Sequence, residues 1–309
     1  MRYAALGDSL SAGIGDPVDD GGWRGWAALL GASLGDGDPR GTGGGAVDGA
    51  ADRAGDRAGE ELGERGAFFR NFAVSGALTR DVEEEQTPEA IAFAPHLASV
   101  LVGVNDTLRC SFDIHDLAAR LDRICAALAA HGTVLLTACL PDPGAMLGLP
   151  APLARPLARR QRAVNAVVHA LAERYDTVHL HLADSAWVDD RALWSADRLH
   201  PGERGHRLMA ARFHAALTER GFALGAPPRL DPDRPPPTRA ESLRWLATKG
   251  TAWVARRCRD LLPDLLRMAG AEATYWARGS SARLDLRAEL ALSTALAAIS
   301  AAPPAPAAD

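Results

Sequence analysis

Arg2-Tyr3-Ala4-Ala5-Leu6-Gly7-Asp8-Ser9-Leu10-Ser11-Ala12-Gly13 opens the chain as a short apolar run that stops at a glycine and passes into small and polar residues. The run 2–6 has strand length, and a helical pattern follows at 23–34. The same alternation continues downstream. Strand-like runs occupy 67–74, 97–104, 133–138 and 177–182, and helical periodicity occupies 80–93, 114–131, 153–175 and 203–220. Strands separated by helices need crossover connections, which makes the sheet parallel and covers both of its faces. The predicted fold is therefore α/β, a three-layer α/β/α sandwich around a central parallel sheet. In such sheets the ligand crevice lies beyond the carboxyl ends of the strands, so chemistry is sought where each strand stops.

Four strand-end segments carry suitable groups. After the first strand, Gly7-Asp8-Ser9-Leu10 either caps a helix or presents the Ser9 hydroxyl from a tight turn. After the second, Val74-Ser75-Gly76-Ala77 puts the Gly76 backbone N–H at the same edge, or is a plain turn. After the third, Gly103-Val104-Asn105-Asp106 offers the Asn105 amide to an anionic oxygen, or forms a cap. Near the end of the α/β region, Asp197 and His200 lie three residues apart in Asp197-Arg198-Leu199-His200-Pro201. On one turn, the carboxylate can hold one imidazole nitrogen while the other faces a nucleophile; the alternative is a cap for the helix after Pro201. The segments are complementary in role and converge on one sheet edge.

Taken together these blocks resemble the SGNH hydrolases, the GDSL esterase/lipase family. Residues 7–10 spell its first block, Gly76 stands in the second, Gly103-Val104-Asn105-Asp106 forms the third, and Asp197 to Pro201 matches its Asp-x-x-His-Pro block. The resemblance spans about residues 1–223. It implies a flavodoxin-like sheet and a serine esterase or lipase that forms an acyl-enzyme on Ser9, with no cofactor and no metal. Ser9, Asp197 and His200 would be the triad. The backbone N–H groups of Ser9 and Gly76 and the Asn105 side chain would form the oxyanion hole. Two other activities fit the same scaffold: acyl transfer to an alcohol or amine, and non-catalytic ligand binding. The expected partner is a small-molecule or lipid ester.

The composition agrees with this reading. The chain has 309 residues, 47% of them hydrophobic, with a net charge of -5, so no basic surface argues for nucleic acid. No run approaches the roughly 18 apolar residues of a membrane span. The N-terminal run meets Gly7 before a signal-peptide core develops, and a cytoplasmic location is expected. Residues 35–66 hold 11 glycines and eight acidic residues against four arginines, which predicts a mobile surface insertion. Six prolines between 227 and 237 predict an extended linker at 226–238. The domain expectation is a hydrolase domain over 1–225, a helical extension over 239–300 and a disordered tail from 301.

Other features compete for attention. Residues 239–268 carry seven basic and three acidic residues with Trp245 and Trp253; such helices either touch an anionic membrane surface or, as the favoured reading, pack on the body of the protein. Cys110, Cys125, Cys139 and Cys258 show no metal-binding spacing and read as buried reduced thiols. His179 and His181 share a strand face, but no motif supplies a third ligand, so they read as a sheet-edge face. His206 and His214 read as structural or exposed, and Trp187 and Trp194 as packing or as a wall of the acyl pocket.

Overall fold

The structure, a computed structural model, describes residues 1–19, 21–35, 60–62, 67–222, 224–233, 235 and 251–301. Most of the Gly/Asp-rich segment, the stretch 236–250 and the tail beyond 301 lie outside the described residues.

Six strands form one sheet in the order β2-β3-β1-β4-β5-β6: β1 Arg2–Gly7, β2 Glu60–Leu62, β3 Ala67–Asn71, β4 Leu97–Leu101, β5 Val134–Cys139 and β6 Val178–His181. The strands from β3 to β6 pair in parallel. A short antiparallel strand, β2, lies on β3 at the edge. Among the described residues this is the one departure from an all-parallel sheet, and it falls inside the segment read from composition as a mobile surface insertion. Three residues paired through their backbones need no apolar side chains, which is why composition concealed them.

β1 shows why both faces are covered. Tyr3 and Ala5 enter one apolar cluster and Ala4 and Leu6 the other, as alternation along a strand requires. The first cluster includes residues of α1 (Gly25–Ser33) and α9 (Glu203–Glu219). The opposite layer begins with α2 (Thr79–Asp81), a π-helical turn at Val82–Gln86 and α3 (Thr87–Phe93). It continues with α5 (Ile114–Ala129) and α7 (Ala151–Arg174), after the short α4 (Val104–Thr107) and α6 (Pro143–Met146). A further turn, α8, spans Ser185–Val188. Asp113 starts α5 by accepting the N–H groups of His115 and Asp116, satisfying donors that a helix start leaves open.

Two helices follow the proline-rich stretch, α10 (Thr251–Ala277) and α11 (Ala282–Ala301). Both pack against α7, and α11 also against α5. Ala295 and Ile299 are buried in the cluster of α5 and α7. Polar contacts fasten the same surface: Arg159 pairs with Glu272 at 3.2 Å and with Asp285 at 2.8 Å, and the Cys110 N–H donates to Asp264 at 3.1 Å. Before them, Asp233 accepts from Arg24 and Arg207, which holds the proline-rich stretch to the start of α9. No helix among the described residues is long and apolar enough to cross a membrane.

Candidate active site

The parallel strands run in the order β3-β1-β4-β5-β6, and the direction of winding reverses between β1 and β4. Loops leaving two neighbouring strands on opposite sides of such a switch open a crevice. Ser9 leaves β1 there and Asn105 leaves β4.

The turn after β1 is built by close backbone approach. Gly7 has φ +139°, and a side chain on it would collide with the Leu101 carbonyl oxygen, so only glycine fits. Asp8 is buried and its carboxylate accepts the Leu10 N–H at 3.1 Å. The capping role and the functional role are thus divided: Asp8 stabilises the turn, and the neighbouring Ser9 side chain is left to reach across the crevice.

Ser9 Oγ lies 2.8 Å from His200 Nε2, and His200 Nδ1 lies 2.7 Å from Asp197 Oδ2. An ionised carboxylate can only accept, so Nδ1 carries the proton and Nε2 accepts from the serine hydroxyl. The segment holding both residues is closed at its base. Trp194 and Pro201 form a β-bridge, and the Ser195 N–H donates to the His200 carbonyl at 2.9 Å. Arg198, at φ +60°, makes the left-handed turn between them. The second oxygen of Asp197 accepts from Ser195 Oγ and from the backbone N–H groups of Leu199 and His200. Burial works to raise the Asp197 carboxyl, but the His200 and Ser195 contacts outweigh it and lower the group to about 2. The carboxylate is therefore ionised and oriented at neutral pH.

The donors at this edge differ in availability. Gly76, at φ +89°, turns the chain after β3. Among the described residues neither its N–H nor that of Ser9 has an intramolecular acceptor. Asn105 Nδ2 instead donates to Asp8 Oδ2 and to the Ala77 carbonyl, both at 3.1 Å. Its amide thereby ties together the three loops after β1, β3 and β4. Next to it, Asp106 accepts the Thr79 N–H at 3.1 Å, and burial pushes its carboxyl up to about 6.

A cavity of about 250 Å³ opens at Ser9 and His200. Its walls are almost wholly apolar and include Leu140, Met146, Leu149, Leu182, Trp187 and Trp194. The two tryptophans pack edge to face at 6.1 Å and are buried, so they serve both as packing and as pocket wall. Leu261, Leu262 and Leu265 of α10 complete the rim.

Sequence reading did not find several of these residues. Gln86 hydrogen-bonds both backbone groups of Gly7 from the π-helical turn, yet in sequence it is one polar residue in a helical pattern. Ser195 and the leucines of α10 carried no motif. Two expectations are corrected. Cys110 is an exposed thiol, not a buried one, because it sits in the surface loop between α4 and α5. The pair His179 and His181 does not stand alone: Cys139 and His169, from β5 and α7, join it. His206 and His214 are both buried. His206 accepts the Trp26 N–H and donates to the Ile14 carbonyl, a structural role beneath the Ser9 loop.

Among solved structures, Axe2, an acetylxylan esterase from Geobacillus stearothermophilus, is 18% identical, with 70% of this chain and 93% of that one covered and a TM-score of 0.49. The psychrotrophic esterase EstA from Pseudoalteromonas sp. is 14% identical, with 72% and 99% covered and a TM-score of 0.48. No curated protein matches the chain. The profile of the GDSL-like lipase/acylhydrolase family matches residues 37–208, a span that contains Gly76, Asn105, Asp197 and His200 and begins after Ser9. With more than half of its length matched, this chain belongs to the GDSL-like lipase/acylhydrolase family and is an ester-hydrolysing enzyme.

Proposed function

We propose that the chain is a serine carboxylesterase that forms an acyl-enzyme on Ser9 and prefers aliphatic acyl groups longer than acetyl. The observation that supports this preference is the apolar cavity beside the Ser9 hydroxyl, whose only polar lining residues among those described are Asp8, Ser9, Asn105 and His200. An acetyl group would leave most of that surface in contact with water, whereas a longer chain would bury it.

In the proposed cycle Ser9 Oγ attacks the ester carbonyl as its proton passes to His200 Nε2. Asp197 stabilises the imidazolium that forms. The carbonyl oxygen becomes an oxyanion between the Ser9 and Gly76 N–H groups and the Asn105 amide, which shares one of its hydrogens with it. Collapse expels the alcohol, which takes the proton from His200. Water then enters with His200 as base, releases the acid and restores Ser9.

A series of p-nitrophenyl esters from acetyl to decanoyl tests the reading. Each methylene buried in the cavity adds about 0.8 kcal/mol, so kcat/KM should rise roughly fourfold per CH2 until the cavity is full. A maximum at acetyl would refute the preference. Ser9→Ala should abolish acyl-enzyme formation, and hydrolysis at the parental rate in that variant would refute the nucleophile. Product analysis with added alcohols separates hydrolysis from acyl transfer: free acid is expected, and ester product at its expense would assign the chain as an acyltransferase.

A further inference from the structure

We infer that Cys139, His169, His179 and His181 form a zinc site at the β6 edge of the sheet, separate from the esterase machinery. The register of β5 and β6 pairs Thr137 with His179 and Cys139 with His181. Alternate residues share a face, so these four side chains stand on one face of two neighbouring strands. α7 lays His169 over them. Its ring centroid is 4.9 Å from that of His179 and 5.2 Å from that of His181, and those two are 5.0 Å apart. One donor atom from each of the four residues lies within 4.8 Å of the others. None of the four lines the cavity at Ser9.

The spacing suits a tetrahedral ion. Bonds of about 2.1 Å to nitrogen and 2.3 Å to sulfur place the two ligand atoms roughly 3.6 Å apart. Cys139 Sγ and His181 Nδ1 stand 3.8 Å apart. The remaining contraction, about 1 Å on the same bond lengths, falls on His169 and His181, whose exposed rings have room to turn.

A supporting shell is already in place. His179 Nδ1 is hydrogen-bonded to Thr137 Oγ1 at 2.9 Å, and that hydroxyl is 2.6 Å from Thr177 Oγ1. The hydroxyl can accept from the Nδ1–H of a zinc-bound ring, as partners behind metal-bound imidazoles do. Nε2 of His179 is buried and has no hydrogen-bond partner among the described residues.

Three imidazoles and one thiolate are a zinc donor set; calcium and magnesium require oxygen ligands. On binding, the Cys139 thiol releases its proton to solvent as the S–Zn bond forms. With four ligands from the protein the ion has no open position, and its effect is structural. It would fasten β6, the last strand of the sheet, to β5 and to α7.

The full chain, stripped with chelator, is titrated with Zn²⁺ and separately with Co²⁺. One equivalent of Zn²⁺ should bind with a rise in Tm, and Co²⁺ should give the intense tetrahedral bands and a thiolate-to-cobalt charge-transfer band. Cys139→Ser should lose the charge-transfer band. His181→Gln, at the exposed side of the cluster, should bind zinc more than about 100-fold more weakly and lose the Tm rise. Both variants should keep esterase activity, which reports that they fold, and Cys110→Ser should bind like the parent. Failure of the stripped parent to bind zinc would overturn the site. So would unchanged binding in both Cys139→Ser and His181→Gln, or binding abolished by His200→Ala and kept by Cys139→Ser.

Discussion

Gln86 holds Gly7 by both of its backbone groups: the Gly7 N–H donates to Oε1 at 2.8 Å, and Nε2 donates to the Gly7 carbonyl at 2.9 Å. All four atoms are buried in a bonded pair two residues before Ser9. Gln86→Leu would take the side-chain acceptor from the buried Gly7 N–H, at about 1–3 kcal/mol, while the Gly7 carbonyl would keep the Val74 N–H at 3.2 Å. Urea denaturation should show a loss of about 1–3 kcal/mol on that basis. Because the same pair sets the path of the Ser9 turn, kcat should fall in the variant that still folds.

Asp197 shows what the carboxylate contributes by being ionised. In Asp197→Asn the amide can present an N–H to His200 Nδ1, which favours the wrong tautomer, and kcat should fall about 10⁴-fold with the fold retained. The pH dependence of stability follows from the lowered group, about 2 against an ordinary value of 3.8. The stabilisation is fully present above pH 4 and is lost as the pH falls through about 2. Its size is roughly 2 kcal/mol at about 1.4 kcal/mol per unit. Urea titrations of parent and Asp197→Asn should therefore differ most above pH 4 and converge towards pH 2.

Asn105 joins the loops after β1, β3 and β4 through a single amide nitrogen. Asn105→Ala should lower kcat by about 10²- to 10³-fold, the usual cost of one oxyanion donor. Asn105→Asp should lose at least as much activity and also lower Tm, because its new carboxylate would face that of Asp8. Equal Tm values for the two variants would refute the repulsion expected between the new carboxylate and Asp8.

Leu261 and Leu265 bring a wall from α10 to a cavity otherwise built by the α/β body. Leu261→Ser with Leu265→Ser should reduce kcat/KM for octanoyl esters by about tenfold or more, at 1.5–3 kcal/mol for each leucine fully buried by substrate. Acetyl esters should be nearly unaffected. A uniform loss across chain lengths would instead indicate that α10 acts on the position of the triad.

The local elements were legible because they obey local rules. Alternation placed five of the six strands and the main helices of residues 1–220 within a few residues of their observed ends. Asp197 and His200 were legible because three residues separate them, and Ser9 because a glycine turn precedes it. β2 was not, since a strand of three residues has too short a pattern to detect. Gln86 was not, because its partner is a backbone 79 residues away, and backbone groups leave no mark on sequence periodicity.

The amino-acid sequence by itself determined the alternation of strands and helices, hence a parallel sheet, and the residue types gathered at the strand ends. Tertiary structure decided what lies around them. The crossover between β1 and β4 brings Ser9 and Asn105 to one crevice, and the docking of α10 gives that crevice its leucine wall. The register of β5 on β6, under α7, assembles one cysteine and three histidines that no spacing in the chain connects. Local propensity acts over a turn or a strand; these sites depend on contacts between segments tens to hundreds of residues apart, which exist only once the layers have packed.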